Sequence, residues 1–479
     1  MADLHSIRKN KITLEDYDFR QDIENRLLMA QFTSTDLRVL EEILYSSIKI
    51  PLRKLAKSVD LEEDTILPIL DKLSKTGLFA VEADCILVDK EMRKYFEAQI
   101  MKFDPEFKPN MEFLQSLLRK VPIHILPVWY AVPRTSNNIF ESLIEKYLLT
   151  PQIFHRYLEE LNFSDPVLTG IVRDVFESKD LKVYGKDLIE KYALSREQFE
   201  HSLLLLEFHF ACYLGYEKVG DEWTEIVTPL HEWSQYASFL QSTQAPSIAA
   251  ADSIKRNRTQ DFAYILDLGQ ILSQAKKQPL SLSEDKHKRL LPTNQAAMSA
   301  LAAKMEDLNE EDPAFADYIH KLILKLCQLK LAGIVDNRLY ALESASDFLE
   351  MRPENRSLFL YRHPLNRFFS SQIPAEIMTD RNLREAEKSI LRVLNSGWVY
   401  FEDFIRGVTT SLGEDSIIML KRQGKSWQYA LPSYTQEELA LIKATVLEWL
   451  FELGVTATGK QNDLECFCVT SFGQSLFGR

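Results

Sequence analysis

The sequence predicts a mainly α fold with small antiparallel β-hairpins, repeated along the chain as modules of one plan. Three observations lead there. Runs of apolar residues at helical spacing give way, four times, to short extended stretches after a turn. With 46% apolar residues and only 15 glycines in 479, the composition is that of an ordered chain. At roughly 150 residues per domain, that length asks for about three domains rather than one.

The first module follows an N-terminal arm, and the two together occupy 1–102. Leu37, Leu40, Ile43 and Leu44 mark one helix, Leu52, Leu55 and Ala56 a second, and Ile66, Ile69, Leu70 and Leu73 a third that ends before Gly77, where a helix C-cap is wanted. Leu78, Phe79 and Val81, a polar turn, and Cys85 to Val88 then form a hairpin. Three helices in about 45 residues closed by a hairpin is a winged-helix (helix-turn-helix) pattern.

Residues 103–165 form a helical spacer, with Val121 to Val132 as packed chain. The second module, 166–237, repeats the order: Val167 to Phe176, Asp187 to Tyr192, a third helix capped by Ser195, then strands Phe208 to Tyr216 and Trp223 to Val227 about a turn at Val219-Gly220-Asp221. Ser238 to Ala251, rich in Ser, Gln and Ala with Pro246, is expected to open an exposed linker running over 238–258. A third module (259–351) ends in Leu329 to Val335 and Arg338 to Leu342. A connecting segment (352–382) carries Pro353, Pro364 and Pro374. A fourth module (383–479) ends in Leu450 to Val455, Cys466 to Thr470 and Phe472 to Phe477. Each module is expected to hold its own small core.

Charge narrows the function. The 57 Lys and Arg against 70 Asp and Glu leave a formal charge of −13, the wrong sign for coating nucleic acid or anionic membrane, so any such contact must be local. Five scattered cysteines make no disulfide framework and fit a reducing, cytoplasmic location. The first ten residues lack the apolar run of a signal peptide, and Leu203 to Tyr216 is broken by Glu207 and His209, so a membrane partner is not expected.

A winged helix that reads DNA presents Arg, Lys, Ser, Asn or Gln from its third helix. The first module instead starts that helix with Glu62-Glu63-Asp64, followed by Leu67 and Pro68, a charge that suits the helix dipole rather than phosphate. The second offers Arg196, Gln198 and His201, diluted by Glu197 and Glu200. A basic stretch follows the expected linker, with Lys255, Arg256, Arg258, Lys286, Lys288 and Arg289 as candidate nucleic-acid contacts. Over 251–295 there are eight Lys or Arg against five Asp or Glu, a local surplus within an acidic chain.

No catalytic constellation, cofactor site, metal site or small-molecule substrate is indicated. Gly424-Lys425-Ser426 resembles the end of a phosphate-binding loop, but Met419 stands where its first glycine belongs. Cys466 and Cys468 share one face of a strand without two further zinc ligands nearby. His209, between Phe208 and Phe210, reads as a strand residue.

The last 230 residues or so carry a resemblance. Its elements are Pro279-Leu280-Ser281-Leu282, the basic patch, a helix from Asn294 through Leu308, a helix into Leu331-Ala332-Gly333-Ile334-Val335, the run from Arg384 to Trp398, a helix from Thr435 to Leu453, and Cys468-Val469-Thr470-Ser471-Phe472-Gly473. In that order they resemble the non-catalytic winged-helix region associated with bacterial XPB-type helicases. They are also similar in logic to the winged-helix subunit that holds that helicase in the eukaryotic transcription and repair factor. The family's phosphate-binding loop and Asp-Glu-x-His box are absent from this sequence, so the resemblance implies an accessory role without the motor. The expectation is a non-enzymatic scaffold or adaptor binding a protein partner of a nucleic-acid-processing or transcription machine. A DNA-binding regulator using the second module or the stretch 254–289 is the alternative.

Overall fold

The computed structural model describes residues 12–82, 84–133, 138–161, 163–220, 222–305, 307–308, 312–363, 373–424 and 426–478. Asp221 of the second module's turn, Pro364 of the connecting segment and Lys425 of the loop-like tripeptide lie outside them. The chain is mainly helical with small antiparallel sheets. Among the described residues, no helix is long and apolar enough to cross a membrane.

Two compact units form, one from residues 1–238 with 419–430, the other from 239–418 with 431–479. In the first, helix Phe19–Met29 precedes helix Ser34–Tyr45, strand Lys49–Pro51, helices Leu52–Ser58 and Glu63–Ser74, and the hairpin Phe79–Glu82/Cys85–Val88. Thr33 and Asp36 close a capping box at the start of Ser34–Tyr45, satisfying backbone N–H groups that the first helical turn leaves open. The order recurs as helix Pro166–Glu177, strand Val183–Tyr184, helices Gly185–Lys191 and Arg196–Phe208, and hairpin Tyr213–Val219/Glu222–Thr228. In both sheets the short strand between the first two helices pairs with the second hairpin strand, as Ile50 with Ile86 and Val183 with Val227.

The second unit has the same connectivity twice. Strand Leu280–Glu284 pairs with Arg338–Ala341, the return strand of hairpin Ala332–Val335/Arg338–Ala341, and Val399–Tyr400 pairs with Leu464–Val469, the return strand after Thr456–Gln461. One device closes the third helix of three modules. A residue in the left-handed region, Phe210, Lys330 or Gly454, lets the next N–H reach back five residues, as Ala211 to Leu206, Leu331 to Leu326 and Val455 to Leu450. Only Gly454 is glycine there, and a Cβ on it would meet Phe262 at 2.7 Å and the Asp261 carbonyl at 2.9 Å.

Several expectations are corrected. The modules do not hold four separate cores: one continuous cluster runs from Met29 through Ile86 and Leu203 to Val227, and another from Ala245 through Ile323 and Leu441 to Val469. Sharing a core removes more apolar surface from water than a module of this size can bury alone. The segment 238–258 is not an exposed linker. Helix His231–Ser242 runs across its start, Ala245 and Ile254 are buried, the Ile248 N–H donates to the Trp398 carbonyl at 2.8 Å, and Lys255–Arg256 forms a strand beside Thr456–Gln461. Phe208 ends a helix rather than opening a strand, and His209 caps it with Nδ1 2.8 Å from the Leu205 carbonyl. The helix expected from Asn294 through Leu308 spans only Gln295–Ala302. Gly424 turns the hairpin Leu420–Gln423/Ser426–Tyr429. That hairpin belongs to the first unit, where the Leu420 N–H donates to the Leu149 carbonyl at 2.7 Å and the Tyr429 hydroxyl to the Leu148 carbonyl at 2.9 Å.

Candidate nucleic-acid interface

The third helix of the second module begins at Arg196, with Ser195 and Gln198 joined in a capping box: the Ser195 N–H donates to Gln198 Oε1 at 2.8 Å. Gln198 therefore serves its own helix terminus. The Arg196 guanidinium is bound by Glu225 of the hairpin and by Glu200, one turn along the helix. Burial acts against its charge, but these carboxylates outweigh that and raise its pKa further. His201 is exposed, its ring edge-on to Phe19 with centroids 6.0 Å apart.

Phe19 belongs to the arm helix Phe19–Met29, which packs on this third helix. From it Arg26, 2% exposed, donates to Glu200 at 2.8 Å and to Glu207 at 2.9 Å, both carboxylates being fully buried. Lys102 adds a contact to Glu207 at 3.3 Å. Burial alone would raise the Glu207 carboxyl, but Arg26 and Lys102 outweigh it and hold it at about 2. For Lys102 the balance goes the other way, burial pulling it down to about 8 against the attraction of Glu207. Asp22 on the same arm helix accepts from Tyr17, Tyr95 and Lys120; burial would raise it, and Lys120 and Arg26 lower it to about 2. The helix that the sequence offers for base readout is thus engaged by the protein's own arm and carboxylates.

The third helix of the first module stands differently. Glu62, Glu63 and Asp64 are exposed at its start, with Leu67 46% exposed and Pro68 and Asp71 beside it. Glu63 and Arg53 approach at 3.5 Å, both largely in solvent, where an ion pair adds little.

In the second unit the basic candidates separate. Arg258 is buried: it donates to Asp267 at 2.8 Å and to the Tyr318 hydroxyl at 3.1 Å, which corrects its expected role as a phosphate contact. Arg289 forks onto Asp285, with Nε at 2.8 Å and Nη2 at 2.6 Å, and reaches Asp317 at 3.1 Å. Arg256 meets Asp261 at 2.6 Å. Lys286 and Lys288 are exposed in the turn between Leu280–Glu284 and Leu290–Pro292. Lys255 is exposed too, and it lies directly opposite the exposed Lys460 in the strand pair. Sequence reasoning missed Lys460, because its partner stands more than two hundred positions away and no local pattern joins them. Like charges facing each other across a ladder repel; among the basic candidates and their described strand partners, this pair and the Lys286–Lys288 turn are exposed. Compared with known proteins, the chain matches no family model, no curated protein and no solved structure.

Proposed function

We propose that the four repeats are winged helices and that the chain is a non-enzymatic scaffold binding a protein partner, one belonging to a nucleic-acid-processing or transcription machine. The reading rests on one observation: the two third helices of the first unit are unsuited to a duplex for opposite reasons. One exposes Glu62, Glu63, Asp64 and Asp71 around Leu67 and Pro68. The other is covered by helix Phe19–Met29 and locked by Arg26, Glu200 and Glu207. A surface with an apolar centre and an acidic rim suits a protein with a basic rim of its own. The four-fold strand order supports the winged-helix assignment, and the similarity of the C-terminal half to helicase-associated regions suggests the kind of machine. Five cysteines without disulfides agree with a reducing, cytoplasmic setting.

The test is capture of partners by the full chain from native extract, with and without nuclease. Retention of a partner after nuclease and its loss in Leu67→Asp support the scaffold. Loss on nuclease treatment alone contradicts it. A DNA-binding reading draws support from the exposed Lys286 and Lys288 and the facing Lys255 and Lys460; it predicts that their neutralisation weakens duplex binding for all sequences alike.

A further inference from the structure

Two carboxyls in the first unit are buried without full hydrogen bonding. Glu232, 1% exposed, lies in the first turn of helix His231–Ser242. Its Oε1 accepts the Met111 N–H at 3.0 Å, and its Oε2 has no hydrogen-bond partner. Glu112, in the first turn of helix Met111–Leu118, has both oxygens buried without a partner. The hydroxyl of Tyr213, a side chain with no exposed surface, is a third buried group in the same condition. In a protein interior a carboxyl in the state of Glu232 tends to take up a proton rather than stay charged.

The two helices that carry these groups also hold the hairpin Leu420–Gln423/Ser426–Tyr429. Its second strand packs on Met111–Leu118, and the Tyr429 ring lies 5.8 Å from that of Tyr236, one turn beyond Glu232. Glu232 is faced from more than one element: it acts on Tyr213 of the central hairpin and on Tyr429 of the docked hairpin, and Glu112 of helix Met111–Leu118 acts on it; its neighbour His231 is acted on by Lys108, ahead of that helix. Burial pushes the Glu232 carboxyl up to about 7, opposed by the Met111 N–H and reinforced by Glu112.

We propose that Glu232 is a proton-binding group whose occupancy governs how tightly the hairpin Leu420–Tyr429 is held on the first unit. With a proton, Glu232 adds no charge beside helix Met111–Leu118, on which the hairpin's second strand packs. Without that proton, a buried carboxylate acts on Tyr429 of the hairpin, and loosening the strand lets water reach the charge. The raised pKa sets the sign. An exposed Glu232 releases its proton at about 4.5 and the docked one at about 7. Docking therefore weakens as pH rises through that interval and levels off above it.

Hydrogen exchange of the full chain from pH 4.5 to 8.5 tests this at the Leu420 amide, after correction for intrinsic exchange. Protection is expected to fall by up to roughly tenfold per pH unit within the interval and to become independent of pH in Glu232→Gln. Flat protection in the wild-type chain, or an unchanged slope in Glu232→Gln, overturns the proposal. Infrared spectroscopy of the unsubstituted chain needs no variant. A protonated-carboxyl band lost near pH 7 supports the proposal, and absence of any such band above about pH 6 overturns it.

Discussion

The third helices Glu63–Ser74 and Arg196–Phe208 occupy the same place in two modules of one connectivity and share one core, yet chemistry sorts them oppositely. The first turns carboxylates, Leu67 and Pro68 to solvent. The second buries Glu200 and Glu207 and needs Arg26 from the arm to hold them. Fold position alone therefore does not say which helix is available for binding; the partners of the charged side chains do. In the first module the charges are solvated and this face of the helix is exposed. In the second they are internal and the helix serves the unit's own cohesion.

The contrast breaks most readily at the arginines. Arg26→Met leaves two buried carboxylates without their main cation and should cost about 3–5 kcal/mol, while Arg53→Met, at the exposed pair with Glu63, should stay within about 0.5 kcal/mol. Denaturant unfolding of the full chain measures both, and equal losses would erase the distinction.

Acid provides the next test. The folded Glu207 titrates at about 2, below the ordinary 4.5, so its contribution to stability is present above pH 4.5 and is lost as pH falls from there toward 2. Asp22, held at about 2 against an ordinary 3.8, adds in the same direction. The unfolding midpoint of the first unit should drop across that window, and Glu207→Gln should flatten the drop. An unaltered acid profile in the variant would show that the network does not carry it.

Leu67→Asp should reduce partner retention by about tenfold or more while changing the unfolding free energy by less than about 0.5 kcal/mol. Loss of stability equal to loss of binding would make Leu67 a core residue instead. The smallest effect is expected from Lys286→Ala with Lys288→Ala, which should leave duplex binding and its salt dependence unchanged; a slope flattened by about 0.9 per lysine would identify phosphate contacts.

Much of this architecture is visible in the residues. The change of period at Gly77 and at Val455 marks where helices give way to hairpins, because apolar spacing reports which face is buried. The acidic start at Glu62 to Asp64 is equally plain. What the sequence hides is long-range pairing. Arg26 meets Glu200 and Glu207 across 174 and 181 positions, and nothing local to an arginine says whether it will be covered. The stretch 238–258 looks like a linker because its side chains are small and polar, yet it is held by backbone bonds at Ile248 and Lys255–Arg256 that composition does not record. The hairpin at Leu420 joins the first unit through the Leu148 and Leu149 carbonyls, and the Tyr429 hydroxyl reaches Leu148 across 281 positions, a pairing that no local pattern marks.

Titration of duplex DNA with the full chain at low and physiological salt tests most directly whether these third helices are both unsuited to a duplex. Only weak non-specific binding is expected at physiological salt, on the order of 10⁻⁴ M, unchanged by Arg196→Ala. Sub-micromolar affinity with a steep salt slope, lost in Arg196→Ala, would contradict it.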